Sequence, residues 1–330
     1  MSYQQHFSMG SGSRPARRNF EFGRTYVVRP QGKHQATIVW LHGLGDNGSR
    51  YCSYSFPSIA VSCFLSLYWH GNPSFKTNFQ TSKLSLTKEE TLFFRFIEKT
   101  ADNLLFVPES ILERGVLRLK HHCSQLLENL PLPNIKWICP TAPTRPVALL
   151  GGFSCTAWFD VGEISEESPD DWEGLDASAV HIANLLSTEP ADVKVAIGGF
   201  SMGAATALYS ATCAAFGRYG NGNAYPINLR AVVGLSGWLP GSRSLRSKVE
   251  GSHEAARRAA SLPIFLCHGT SDDVVSYNYG EKSAHCLNTA GFRNLTFKSY
   301  EGLGHYTVPK EMEEVRNWLT ARLGLEGSRS

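Results

Sequence analysis

Short apolar runs recur along the chain from residue 36 onward, and each is followed within a residue or two by glycine, proline or a polar side chain. Several are rich in β-branched residues and all are too short for a typical helix, so they predict buried strands. The predicted strands cover residues 36–41, 135–139, 193–198, 229–235, 262–267 and 295–300.

Between these runs, apolar residues recur at the three- and four-residue spacing of an amphipathic helix. This pattern predicts helices over residues 175–186, 202–216, 279–290 and 311–323. Strands that alternate with helices predict an α/β fold, with a mostly parallel central sheet covered by helices on both faces. Ligands bind such sheets beyond the carboxyl ends of the strands, so the loops that follow the strands are the first places to look for chemistry.

The loop after the third predicted strand reads Gly199-Phe200-Ser201-Met202-Gly203. A serine in a G-x-S-x-G turn between a strand and a helix is held in a strained backbone conformation, with its hydroxyl projecting from the sheet. The two glycines are needed because side chains there would collide with the turn. The pentapeptide alone is weak evidence for a nucleophile, but its position between a strand and an alanine-rich helix indicates a nucleophile at Ser201.

A serine nucleophile needs a base to take its proton, and in folds of this type the chain order is serine, acid, histidine. Two histidines follow the acidic loop, His285 and His305. His285 lies inside a predicted helix, whereas His305 lies in a glycine-rich loop after the last strand, so His305 is the predicted base. The acid comes from the loop after the fifth strand, where either Asp272 or Asp273 could serve.

Catalysis of acyl transfer also needs two backbone N–H donors for the negative charge of the tetrahedral intermediate. The residue after the nucleophile, Met202, supplies one, and the loop after the first strand (residues 42–46) supplies the other, with Leu44 well placed. His42 in this loop could be mistaken for a catalytic base. We interpret it instead as a histidine that fixes the loop by hydrogen bonding.

Six motifs, taken in order, resemble those of the acyl-protein thioesterase family, with the plant members most similar. They are LHGLGD at 41–46, ICPTAP at 138–143, AWFD at 157–160, GFSMG at 199–203, HGTSDD at 268–273 and GLGHY at 302–306. The resemblance covers residues 21–50 and 124–326. It implies an α/β-hydrolase fold and the removal of long-chain acyl groups from cysteine thioesters on proteins, with side activity on lysophospholipids and small esters.

The resemblance also implies specific roles. The triad is Ser201, Asp272 and His305, which favours Asp272 over its neighbour, and the oxyanion donors are the amides of Leu44 and Met202. Many relatives carry glutamine at the position of Met202, but a backbone donor should tolerate that difference. The family needs no metal and no organic cofactor. Candidates for the acyl pocket are Leu149, Leu150, Phe153 and Trp158.

The amino-acid composition limits the classes of partner that the protein is expected to bind. A net charge of +3 on 330 residues is too small to favour nucleic acid or an anionic membrane surface. No apolar run approaches the length of a membrane span, and the amino-terminal residues lack the apolar core of a signal peptide. The eight cysteines include no CxxC pair and do not resemble a disulfide framework, so a reducing, cytoplasmic location is expected. The expected partners are therefore S-acylated proteins or lipid esters as substrates.

The domain organisation contains one departure from the family. We expect a disordered tail over residues 1–20 and one hydrolase domain over 21–326, interrupted by an insertion at 51–122. The insertion could be a lid that contacts acyl chains. Because its composition changes abruptly at both ends, we favour the interpretation that it is translated non-coding sequence, and we expect low order there.

A carboxylesterase or lysophospholipase is the alternative function, and a non-catalytic receptor or scaffold is the alternative of another class.

Overall fold

The computed structural model describes residues 20–48, 130–165 and 168–325, and a twisted sheet of seven strands is its central feature. The described residues contain nine strands: β1 (Tyr26–Val28), β2 (Ala36–Leu41), β3 (Ile135–Cys139), β4 (Thr144–Val147), β5 (Phe153–Thr156), β6 (Lys194–Phe200), β7 (Ala231–Leu235), β8 (Ile264–Gly269) and β9 (Leu295–Tyr300). The main sheet has the order β1-β3-β2-β6-β7-β8-β9, and β4 and β5 form a separate hairpin. Only β1 runs antiparallel to its neighbour, β3, within this sheet.

Six α-helices in the same residues cover the sheet: α1 (Trp172–Ser187), α2 (Met202–Phe216), α3 (Ser242–Glu250), α4 (His253–Ser261), α5 (Tyr277–Thr289) and α6 (Pro309–Leu323). Buried side chains of α1 to α5 share one apolar cluster, and those of α6 belong to a second cluster on the opposite face. The architecture is the predicted α/β-hydrolase fold, with helices on both faces of a mostly parallel sheet.

The strand β2 shows why its sequence is almost entirely apolar. Successive side chains of a strand point to opposite faces. Val39 and Leu41 pack into the cluster beneath α1 and α2, while Ile38 and Trp40 pack into the cluster beneath α6. Both faces are therefore covered, so the strand is apolar except at Thr37, whose buried hydroxyl is hydrogen-bonded, as expected for the centre of a parallel sheet.

The predicted elements are confirmed, with small shifts at their ends. The third predicted strand reaches Phe200 and so ends directly before Ser201. The first helix begins at Trp172, three residues earlier than predicted, because Asp171 caps it by accepting a hydrogen bond from the Gly174 amide. The sequence pattern did not predict β1, the hairpin of β4 and β5, or the short helices α3 and α4.

The register of the sheet gathers the loops of interest at one edge. Leu41 is paired with Gly199, and Phe200 is paired with Leu235. The turn at Ser201 and the 42–46 loop therefore begin side by side, although they are far apart in the sequence. The loops after β8 and β9 leave the same edge, because Gly269 is paired with Tyr300.

Two domain predictions fall on residues that the structure does not describe. The proposed tail, apart from Phe20, and the whole of the 51–122 insertion lie outside the described ranges. Among the described residues, no helix combines the length and apolarity that crossing a membrane requires.

Candidate active site

Ser201 occupies a strained turn between β6 and α2. Its backbone has φ of 55° and ψ of −123°, in a region that residues with a side chain rarely adopt. The Ser201 N–H donates to the Leu235 carbonyl oxygen at 2.8 Å, which ties the turn to the neighbouring strand β7. Only 4% of the Ser201 surface is exposed. The turn thus holds the hydroxyl in one place, as the sequence pattern predicts.

The two glycines that flank this turn are required by close backbone contacts. A Cβ added at Gly199 would lie 2.5 Å from the carbonyl carbon of Gly203. A Cβ added at Gly203 would lie 2.2 Å from the Leu41 carbonyl oxygen, at the end of β2. Both distances are shorter than real Cβ contacts, so side chains at these positions would force the turn and β2 apart.

Three side chains from separate loops form a hydrogen-bonded series. The Ser201 Oγ lies 3.0 Å from His305 Nε2, and His305 Nδ1 lies 2.8 Å from Asp272 Oδ2. A carboxylate oxygen accepts, so Nδ1 carries the proton. The free lone pair of Nε2 then faces the serine hydroxyl, which donates to it. The ring of Phe200 packs 4.7 Å from the imidazole, centre to centre.

The structure brings Asp272, rather than Asp273, to this series. Asp272 is 7% exposed, whereas Asp273 lies on the surface. The Asp272 Oδ1 accepts hydrogen bonds from the amides of Val274 and Val275, at 3.0 and 2.9 Å. These two bonds hold the carboxylate so that its other oxygen faces His305. The second histidine that the sequence offered, His285, is exposed on α5.

A third histidine supports the acidic loop, and the sequence analysis assigned it no role. His268 is 1% exposed, and its Nε2 lies 2.7 Å from the Val275 carbonyl oxygen and 3.5 Å from Asp272 Oδ2. The carbonyl can only accept, so Nε2 is the donor. Burial lowers the pKa of His268, which keeps the ring neutral. The signal that could have found this residue is its position next to Gly269, four residues before the acid.

Of the two predicted oxyanion donors, Met202 directly follows the serine, and Leu44 lies in a loop that packs against the serine. Met202 is the first residue of α2, and its N–H shares the partial positive charge of the helix amino terminus. A Cβ added at Gly43 would touch Ser201 Cβ at 3.4 Å, which places the 42–46 loop against the serine. Within the described part of the chain, the amides of Leu44 and Met202 have no hydrogen-bond acceptor. Their role as oxyanion donors stays a prediction.

His42 is buried and neutral, in agreement with a loop-fixing interpretation. None of its surface is exposed, and burial lowers its pKa to about 4. Its Nδ1 lies 2.7 Å from the Gly43 carbonyl oxygen, and its Nε2 accepts from the Ala142 amide at 3.0 Å. The ring has no contact with Ser201 of the kind that His305 makes, so its contacts are those of a structural residue.

The four candidates for the acyl pocket fall into two groups. Leu149 and Phe153 lie on the hairpin of β4 and β5 with 47% and 53% of their surfaces exposed, and Leu150 packs partly against the core. Trp158 is 1% exposed, and its Nε1 donates to the His42 carbonyl oxygen at 2.8 Å. The indole therefore lies behind the 42–46 loop. An acyl-binding role for these four residues stays a prediction.

The hairpin is bonded directly to the 42–46 loop. The Gly45 amide donates to the Thr156 carbonyl oxygen at 2.8 Å, and the Thr156 hydroxyl donates to the Asp46 carbonyl oxygen at 2.5 Å. No sequence signal pointed to Thr156, because its partners lie far from it in the chain. Among the described residues, no group of three or more histidine, cysteine, aspartate or glutamate side chains is arranged to hold a metal ion.

Comparisons with known proteins show which family the chain is similar to. A family model described as Phospholipase/Carboxylesterase matches residues 118–323. Acyl-protein thioesterase 1 of Yarrowia lipolytica is 31% identical over 195 residues, which cover 57% of this chain and 78% of that protein. A probable carboxylesterase of Oryza sativa subsp. japonica is 30% identical over 194 residues, which cover 57% of this chain and 66% of that protein.

A solved structure extends the similarity over more of the chain. The crystal structure of Zea mays acyl-protein thioesterase 2 superposes with a TM-score of 0.68 and 53% sequence identity. The superposition covers 92% of this chain and 100% of that one.

Proposed function

The chain belongs to the phospholipase/carboxylesterase family of serine hydrolases, and from that premise we propose that it cleaves long-chain acyl thioesters from the cysteines of S-acylated proteins. The observation that carries this proposal is the hydrogen-bonded series from Ser201 through His305 to Asp272 at a strained turn. The names of the relatives in Zea mays and Yarrowia lipolytica support an acyl-protein substrate.

In the proposed reaction, the Ser201 oxygen attacks the thioester carbonyl carbon while His305 Nε2 takes the hydroxyl proton. The carbonyl π electrons move to oxygen, and the amides of Leu44 and Met202 stabilise the resulting oxyanion. Asp272 stabilises the imidazolium that forms. When the intermediate collapses, the carbon–sulfur bond breaks, and His305 gives its proton to the departing cysteine sulfur. The acyl group is then an ester of Ser201.

The second half of the reaction repeats these steps with water. His305 Nε2 takes a proton from water, and the hydroxide oxygen attacks the acyl carbon of the serine ester. The same two amides stabilise the second oxyanion. The ester bond to Ser201 then breaks, the serine oxygen regains its proton from His305, and the fatty acid leaves. No other reactant is needed.

Hydrolysis of carboxylic esters or lysophospholipids is the second candidate. The same nucleophile and base serve that chemistry, and the similarity to the probable rice carboxylesterase favours it. The ratio of kcat/KM on a palmitoylated cysteine peptide to kcat/KM on a lysophospholipid separates the two. We expect the peptide to be preferred, and a preference for the lysophospholipid would make the second candidate the better description.

A fluorophosphonate probe tests the assignment of the nucleophile and the alternative of a non-catalytic receptor. The probe should label the full chain, and Ser201→Ala should abolish labelling. A conformational control is Ser236→Ala, because Ser236 is the other described non-glycine residue with a positive φ, is 1% exposed and lies outside the series. Labelling that survives Ser201→Ala would refute the assignment, and an unlabelled full chain would favour the receptor.

The role of residues 51–122 is tested by the same probe. The experiment compares the full chain with a version lacking 51–122, for labelling and for acyl-thioesterase turnover. If the insertion is foreign to the domain, the shortened version should label at least as strongly as the full chain.

We also propose a cytoplasmic location, which subcellular fractionation of the native protein would check.

A further inference from the structure

The Gly43 carbonyl and the Leu44 amide belong to one peptide group. A trans peptide is planar, so its C=O and N–H point in opposite directions. Fixing the Gly43 oxygen therefore fixes the direction of the Leu44 N–H. The Gly43 oxygen accepts from His42 Nδ1 at 2.7 Å and, more weakly, from the Asp46 amide at 3.3 Å. The shorter of the two bonds comes from His42.

The tautomer of His42 follows from its second contact. The Ala142 N–H donates to Nε2 at 3.0 Å, so Nε2 carries a lone pair and Nδ1 carries the proton. Nδ1 must then be the donor to the Gly43 oxygen. Because burial lowers the pKa of His42 to about 4, this tautomer persists throughout the range in which a serine hydrolase works. The imidazole thus connects Ala142 to the Gly43–Leu44 peptide, which carries the proposed oxyanion donor.

The imidazole itself has little freedom. The Trp158 Nε1 donates to the His42 carbonyl oxygen at 2.8 Å, and the two rings pack 5.0 Å apart, centre to centre. His42 is completely buried. Its ring and its backbone are therefore each held by a hydrogen bond from outside the 42–46 loop, through Ala142 and Trp158 respectively. A side chain fixed in this way can hold a peptide group in one orientation.

We propose that His42 is a positioning residue for the oxyanion site, which acts by holding the Gly43–Leu44 peptide so that the Leu44 N–H faces the developing charge on the substrate. The inference rests on the proposed function, in which that amide stabilises the tetrahedral intermediates. The peptide interacts with charge that develops in the transition state, so losing its orientation lowers kcat and leaves KM nearly unchanged.

Two substitutions of His42 separate its two hydrogen bonds. In His42→Asn the amide nitrogen takes the place of Nδ1, so the bond to the Gly43 oxygen is kept and the partner of Ala142 is lost. In His42→Gln the amide oxygen reaches the place of Nε2, so Ala142 keeps its acceptor and the Gly43 oxygen loses its donor. Removing one oxyanion donor costs about 10²- to 10³-fold in kcat, so His42→Gln should lose roughly 10²-fold and His42→Asn less than about 10-fold.

The readouts are kcat and KM per fluorophosphonate-labelled site, and the Ki of a long-chain trifluoromethyl ketone, which forms a tetrahedral adduct with Ser201. The Ki should rise with His42→Gln in parallel with the fall in kcat. His285→Gln is the control, because His285 is exposed on α5 and has no contact with the 42–46 loop or the hydrogen-bonded series. That control should change kcat by less than about twofold.

Several results would overturn the inference. One is an unchanged kcat and Ki in His42→Gln, another is an equal loss of kcat in His42→Asn, and a third is a change in KM alone. If neither variant folds, Trp158→Phe decides: it deletes the bond to the His42 carbonyl and should lower kcat and raise the Ki of the trifluoromethyl ketone by a similar factor. An unchanged kcat there also overturns the inference. Failure of the proposed function is recognised separately, by absence of wild-type turnover and labelling.

Discussion

Gly203→Ala should reduce both the activity and the stability of the protein, because this glycine lies where α2 approaches the end of β2. The added methyl carbon would lie 2.2 Å from the Leu41 carbonyl oxygen and 2.7 Å from the His42 carbonyl oxygen. Ordinary contacts of a Cβ begin at about 3.4 Å, since closer packing is resisted steeply. The turn at Ser201 and the 42–46 loop must therefore separate by roughly 1 Å.

The magnitude follows from that displacement. A misplacement of about 1 Å among reacting groups costs on the order of 10²-fold in rate. Forcing an extra methyl group into a packed region costs about 1–3 kcal/mol. In a domain of this size each kcal/mol lowers Tm by about 2–4 °C, so a fall of roughly 2–12 °C is expected. Both effects have the same cause, so they should appear together.

The assay is kcat/KM on a thioester substrate, with thermal unfolding of the same preparation. Gly162→Ala is the matched control, because a Cβ added at Gly162 would meet no atom within 4 Å. It should leave kcat/KM within about twofold of wild type and Tm within about 2 °C, since surface substitutions seldom change stability by more than 0.5 kcal/mol. If Gly203→Ala matched this control in both measurements, the close approach of α2 to β2 would have no energetic consequence, and the explanation of the glycine would be wrong.

Two further predictions concern acidic side chains. Asp272→Asn should lower kcat by about 10³- to 10⁴-fold with little change in Tm, because the amide favours the wrong tautomer of His305, and steady-state kinetics checks this. Glu311 is 1% exposed, and burial raises its pKa from an ordinary 4.5 to about 8. The folded protein then holds a proton that the unfolded chain releases, so this contribution to stability is lost as pH rises from about 5 to 8. Urea unfolding at pH 5, 7 and 9 should show that loss, and Glu311→Gln should lack it.

The core of the fold could be predicted because its strands are covered on both faces. A strand such as β2 is apolar at five of its six positions and therefore stands out in the sequence. The edge strand β1 has only three residues, and Val27 and Val28 are exposed, so it carries no such signal. The hairpin alternates between exposed and buried residues in β4 and includes Pro146, which is typical of loops as well.

The positions of the site residues could be predicted because each follows a strand of the sheet. Ser201 and His305 were identified from the residues, since one lies in a recognisable turn and the other is the only suitable histidine in a loop. The choice of Asp272 over Asp273 needed the resemblance to the family. The deciding physical facts are the amides of Val274 and Val275, which no sequence pattern displays.

The contacts that hold the 42–46 loop could not be predicted, because they depend on distant residues. The resemblance to the family made Trp158 an acyl-pocket candidate, and its apolar side chain alone suits a lipid tail and the core equally. Its indole N–H reaches the His42 carbonyl oxygen only because the chain after β5 returns beside β2. The propensity and periodicity of a sequence predict local structure, and neither predicts a hydrogen bond between distant loops.

The pairing of β2 with β6 has a consequence for biosynthesis. During translation, Leu41 and the 42–46 loop leave the ribosome early. Gly199, which pairs with Leu41 in the sheet, leaves much later, and His305 later still. Non-local pairing of this kind folds slowly, since a long loop must close before any contact repays the lost entropy. A growing polypeptide therefore lacks the proposed base until residue 305 has been made, and a product terminated before that residue should be inert.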